Sequence, residues 1–145
     1  MNKGMSLIVV MVACAALIAA HQASPSHRSD KALIAQGKYL VTRVATCGDC
    51  HTPINPQGQP DMQRWLQGAP LGFTPATPVP GWTSAAPAIA GLPAGWSFAG
   101  TVRFLETGKM PDGRMAAPPM PSIRLTHHDA EAVAAYLASL PSGRK

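Results

Sequence analysis

Cys47-Gly48-Asp49-Cys50-His51 places two thiols three residues apart, with an imidazole directly after the second. Thiols at that spacing can add across the two vinyl groups of one porphyrin, and the adjacent imidazole then sits beneath the iron as its proximal ligand. Cys-x-x-Cys-His is the signature of covalent c-type haem attachment. With three cysteines and five histidines in 145 residues, the pattern arises by chance with a frequency of roughly 0.002. Rival chemistries ask for residues placed differently. A zinc knuckle needs a second ligand pair, and the remaining cysteine, Cys14, lies far upstream in an apolar run. A thioredoxin-like pair belongs in a βαβ pattern, which is not readable here.

Around the motif, the length fits one domain. Lys3 forms a short basic start, and the uncharged apolar run Met5 to Ala20 leads to a plausible cut near Ala20 or Ala23. Residues 1–23 therefore read as a secretory signal, leaving 24–145 as the haem-binding domain. Two anchored readings rank below it. One is an uncleaved membrane anchor through residues 5–20, slightly short for a bilayer; the other is a lipoprotein at Cys14. Export agrees with the motif, because c-type haem is attached outside the cytoplasm. Without residues 1–23 the chain keeps eleven basic and seven acidic side chains, net +4. That is too mild for a nucleic-acid binder, and no basic run carries interleaved aromatics.

Leu33, Gly37, Leu40 and Val44 recur at helical spacing, so 31–44 reads as an amphipathic helix capped by Ser29 or Asp30. A second helix is expected from about Ser97 to Glu106, with Phe98, Val102 and Leu105 on one face and Gly108 as its C′ residue. The last is the best signalled. Thr126 and Asp129 form a capping pattern, Val133, Tyr136, Leu137 and Leu140 give an apolar face, and Pro141 follows. Gly37, costly inside a helix, asks for a close neighbour, and the alanine-rich last helix near Tyr136 can supply one. Residues 53–93 hold nine prolines and little periodicity. Trp65, Leu66, Phe73, Trp82 and Ile89 are apolar anchors that argue for an ordered loop rather than a disordered linker.

For the far side of the iron there are four methionines after residue 23: Met62, Met110, Met115 and Met120. Pro118-Pro119-Met120-Pro121 is a stiff extended segment with few backbone donors, suited to lying over an apolar porphyrin face. Met120 is the expected axial ligand, Met115 the reserve and Met110 third. A thioether opposite imidazole favours Fe(II), raises the potential and leaves no position for substrate. Either Trp82 or Trp96 could donate an indole N–H to a haem propionate, with packing as the alternative role. Lys109, Arg114 and Arg124, with Arg103 before them, surround the ligand segment. They can steer acidic partners or simply form a solvated rim.

Gly37-Lys38-Tyr39-Leu40, Cys47 to Pro53, Thr107-Gly108 with Pro111-Asp112-Gly113-Arg114, Pro119-Met120-Pro121 and Ala135-Tyr136-Leu137 together resemble a class I c-type cytochrome. More narrowly, they resemble the cytochrome subunits of bacterial periplasmic dehydrogenases, over about residues 31–141. The resemblance implies an all-α, cytochrome c-like fold. Its N- and C-terminal helices cross, and a long Pro/Gly-rich loop wraps one covalent haem c. It implies thioether bonds from Cys47 and Cys50 and axial ligation by His51, and it supports Met120. The implied function is periplasmic electron transfer between a dehydrogenase and another cytochrome or an oxidase, without catalysis by the chain itself. Such subunits often carry three haem motifs, whereas this sequence shows one. The competing reading is a haem enzyme or gas sensor with an open distal site, for which His127 or His128 would be polar helpers.

Overall fold

The computed structural model describes residues 25–143. The chain divides between Ala32 and Leu33 into two units. Of the first, residues 25–32 are described and are helical; apart from that helical start, everything below belongs to the second. The expected signal or anchor, residues 1–23, lies outside the described residues. Among those described, no helix is long and apolar enough to cross a membrane.

Helix α1 spans Pro25–Tyr39, so Ser29 and Asp30 lie inside it rather than capping it. Proline at the first helical position has no N–H to waste, which suits the earlier start. The α geometry also stops sooner than expected, because Leu40–Val44 form one π-helical turn. Within this turn the Thr42 hydroxyl donates to the Lys38 carbonyl at 2.8 Å, a back-bond that often accompanies helix bending. Acceptors then shift, with the Ala45 N–H on the Leu40 carbonyl at 2.8 Å and the Cys47 N–H on the Val41 carbonyl at 3.1 Å. Thr46 adopts φ 44°, and the short helix α2, Gly48–His51, follows at once.

Helix α3 spans Phe98–Thr107 and α4 spans His127–Ser139. Gly108 ends α3 and Thr126 begins α4 as expected, while Ser97, expected as the first helical residue, is the N-cap of α3. Ser97 Oγ accepts from the Gly100 N–H at 3.0 Å, Gly108 ends α3 at φ 72°, and Thr126 Oγ1 accepts from the Asp129 N–H at 3.3 Å. Val102, Leu105, Val133, Ala134 and Leu137 are buried in one core, joined by Val41 and Leu66. Thr101 is buried where Phe98 was expected, and Phe98 remains half exposed. Helix α1 meets α4 at Gly37, where a Cβ would fall on the Ala132 carbonyl and the Tyr136 Cβ. Beside it, Gln36 Nε2 donates to Asp129 Oδ1 at 2.6 Å.

The segment between α2 and α3 is ordered by local anchors rather than by periodicity. A 3-10 turn covers Met62–Arg64. Two short strands, β1 (Ala69–Pro70) and β2 (Ala85–Ala86), pair antiparallel with Ala69 opposite Ala86. The domain is thus mostly helical with a small sheet, where an all-α arrangement was expected. Alanine and proline give no alternating pattern over two residues, so these strands left no sequence signal. Leu66 is completely buried at φ 58°. Its N–H donates to Thr52 Oγ1 at 3.0 Å, and its carbonyl accepts from Ile89 and Ala90 at 2.9 and 3.1 Å.

Candidate functional site

The π turn and the turn at Thr46 deliver the motif onto α2, with Cys47 at its N-terminal boundary. Neither Cys47 nor Cys50 is in a disulfide, and both are partly buried. Burial pushes the Cys47 thiol above its ordinary range, with the Asp49 charge and Cys50 adding to the effect against an opposing backbone hydrogen bond. This is the reverse of a redox-active thiol, which needs a depressed value. Gly48 lies directly under the Trp65 ring, whose atoms would collide with a Cβ there. The Trp65 Nε1–H donates to the Tyr136 hydroxyl at 3.0 Å, so one indole links the motif to α4.

His51 is 6% exposed. Its Nδ1 lies 2.7 Å from the carbonyl oxygen of Pro87. A carbonyl only accepts, so Nδ1 carries the proton and Nε2 presents a lone pair. Burial lowers the affinity of the ring for a second proton, only partly countered by this bond. A neutral imidazole fixed by a carbonyl on its other nitrogen is what an iron ligand requires. The His51 carbonyl in turn accepts from the Gly68 N–H at 2.8 Å, next to β1.

Met120 is half-buried. Its N–H donates to the Ala117 carbonyl at 3.1 Å, and the Pro118 carbonyl accepts from the Thr83 N–H at 2.8 Å. Residues 83–87 therefore carry both the donor that holds the Met120 segment and the acceptor that orients His51. Met115 is 43% exposed, with its methyl 2.9 Å from the position of a Cβ on Gly108. The Met110 N–H donates to the Arg114 carbonyl at 2.8 Å, closing a turn at the surface. Met62 stands exposed on its 3-10 turn.

One buried side-chain atom tests the fit to a porphyrin. The Trp82 Nε1–H is shielded from solvent and has no hydrogen-bond partner among the described residues. An orphaned donor of this kind costs about 1–3 kcal/mol, and a propionate oxygen would satisfy it. Trp82 packs edge-on against Phe73 at 5.8 Å. Trp96 instead packs edge-on against Phe104 at 5.1 Å, a packing role. The residues present fit the group. His127 and His128, the candidate distal helpers, are exposed at the start of α4, and His127 contacts Glu106 and Glu131.

Several contributors had no readable signal. Pro87 acts through a backbone carbonyl and Thr83 through a backbone N–H, groups every neighbour also has. Thr52, directly after the motif, could have been singled out as a hydroxyl entering the core.

A family model described as Cytochrome c matches residues 34–141. A diheme cytochrome c-type protein of Cereibacter sphaeroides is 34% identical over 112 residues, covering 74% of this chain and 35% of that protein. The fructose dehydrogenase cytochrome subunit of Gluconobacter japonicus is 35% identical over 112 residues, covering 74% of this chain and 22% of the relative. The chain thus spans about a third or less of the length of these curated relatives. With the family matched over most of the domain, the chain belongs to the cytochrome c family and is a c-type cytochrome similar to dehydrogenase cytochrome subunits.

Proposed function

We propose that the chain carries single electrons in the periplasm, with one haem c attached at Cys47 and Cys50 and held axially by His51 and Met120. When bound, the group supplies a reversible ferric/ferrous couple. The chain's own residues attach it, orient its ligands and keep water away. His51 is held neutral and aimed through Pro87; Thr83 fixes the proline-rich segment that offers Met120; Trp82 offers a donor to a propionate. In this reading the α1–α4 contact at Gly37 is a crossing of terminal helices, and residues 53–93 wrap the porphyrin. Residues 24–145 form the mature domain after removal of 1–23.

A dehydrogenase is the proposed donor, supported by the likeness to a fructose dehydrogenase cytochrome subunit, and another cytochrome or an oxidase is the acceptor. Arg103 and Lys109 line one shallow groove with Met110 and Pro111. Neither makes an ion pair among the described residues, which supports steering of an acidic partner.

The single observation that carries this reading is a buried imidazole, oriented by a carbonyl, beside two unpaired thiols. Absorption spectra of the oxidised and reduced holoprotein test it. A far-red sulfur-to-ferric-iron band and no CO adduct on reduction are expected. Rapid CO binding would move the reading to a haem enzyme or gas sensor, and colourless mature protein would end it.

A further inference from the structure

The loop between α3 and α4, residues 108–126, carries Met120, and its base is fastened at three points. The Leu125 N–H donates to the Leu105 carbonyl at 2.9 Å, and Arg124 Nη1 donates to the Thr107 carbonyl at 2.9 Å. The third fastening is between side chains, with His127 Nδ1 2.8 Å from Glu106 Oε1. The first two join groups that keep one charge state at ordinary pH. The third does not. His127 Nε2 also lies 3.3 Å from Glu131 Oε1. Ionised carboxylates only accept, so the Glu106 contact needs a proton on Nδ1, and the Glu131 contact is an ion pair only when the ring carries its second proton. A neutral ring keeps at most the Glu106 hydrogen bond and loses the charge attraction to both carboxylates.

Resting on the assignment of Met120 as iron ligand, we propose that His127 is a positioning residue for that ligand. As an imidazolium it clamps the loop base to Glu106 and Glu131, and its deprotonation loosens the sulfur side of the iron. The other charged groups on these elements are otherwise engaged or lie away from its two nitrogens. Asp129 serves the Thr126 cap and Gln36, Arg124 is on the Thr107 carbonyl, and Arg114 pairs with Asp112. Arg103 and Lys109 face the groove on Met110 and Pro111, and His128 is exposed. The Glu106 hydrogen bond, followed by the Glu131 charge, holds His127 above the ordinary histidine range. The clamp is therefore closed at low pH and opens as pH rises through that raised value.

Displacement of the sulfur ligand by added imidazole in ferric holoprotein tests the clamp, with titrations at about pH 6 and about pH 9 to span loss of the histidine proton. Comparing each variant with wild type at one pH cancels the protonation of imidazole itself. His127→Gln and Glu106→Gln are expected to bind imidazole about twofold to fivefold more tightly than wild type at the lower pH, the scale of an exposed ion pair. At the higher pH the ratios should fall to one, because the wild-type clamp is then open. Ratios of one at both pH values, or ratios that do not change with pH, overturn the clamp. Met120→Ala separates this from the assignment beneath it. Loss of the far-red band in that variant upholds Met120 whatever His127 does. Its retention rejects Met120, and the clamp with it.

Discussion

His51 Nδ1 and the Pro87 carbonyl oxygen stand 2.7 Å apart although 36 residues separate them in sequence. That bond fixes the tautomer of the ring, and the same short span of chain reaches the Met120 segment through Thr83. A shift of residues 83–87 would disturb both proposed axial groups together, so the small sheet that includes β2 has a structural purpose beyond closing a loop.

The Nδ1 proton of His51 should give a protected, slowly exchanging signal in proton–nitrogen spectra of the ferrous holoprotein at neutral pH. Burial and an acceptor on that atom both retard exchange. A signal that is averaged with water would mean that Pro87 does not hold the ring.

Met120→Ala is expected to abolish the far-red band, lower the reduction potential and admit CO on reduction. Met115→Ala should preserve all three properties. The Met115 methyl rests against Gly108 and the side chain is half exposed, so its loss should change stability by no more than about 0.5 kcal/mol, as for most surface substitutions. Loss of the band in Met115→Ala, with Met120→Ala unaffected, would transfer the ligand assignment to Met115.

The legible parts of this chain were those with a local cause. Ser97, Thr126 and Gly108 bound two helices because caps satisfy orphan backbone groups within a few residues of sequence. The π turn at Leu40–Val44 was hidden because it is a change of main-chain partner, the Ala45 N–H on the Leu40 carbonyl, which periodicity does not record. The motif singled out Cys47, Cys50 and His51 as candidates by spacing alone. What orients His51 is a main-chain oxygen from a stretch without pattern, and what holds the Met120 segment is a main-chain N–H. Such contacts become visible only when the loop is folded. Trp82 and Trp96 were equivalent in sequence; burial without a partner distinguishes the first.

Trp82→Phe should raise the pKa of the propionate that the indole serves, because removing a donor from a carboxylate disfavours its charged form. A neutral propionate favours Fe(III) less, so the pH at which the reduction potential begins to fall should move upward. Trp96→Phe should leave that profile in place, since its indole packs on Phe104. Equal pH profiles for Trp82→Phe and wild type would assign Trp82 to packing alone.

The indole of Trp65 covers Gly48 and donates to Tyr136, so its two functions can be separated. Tyr136→Phe removes only the hydrogen bond and should cost about 1 kcal/mol in denaturant unfolding of the holoprotein. Trp65→Phe removes the same bond and also uncovers the motif, and should cost more. Combined, the two should cost less than the sum, because they share one bond. Strict additivity would show that the Trp65–Tyr136 bond contributes nothing.

Gly37→Ala brings two effects into opposition. Alanine gains about 1 kcal/mol of helix propensity over glycine. Its methyl would also press on the Ala132 carbonyl and the Tyr136 Cβ, and overpacking costs about 1–3 kcal/mol. Main-chain atoms of α4 cannot swing aside as a flexible side chain could, so the steric term should win, with a net loss of up to about 2 kcal/mol. Gly37→Leu should be worse, forcing α1 away from α4 and loosening the Gln36–Asp129 bond with it. Denaturant unfolding of the holoprotein measures both, and an unchanged or raised midpoint for Gly37→Ala would mean that the two helices do not approach as closely as Gly37 permits.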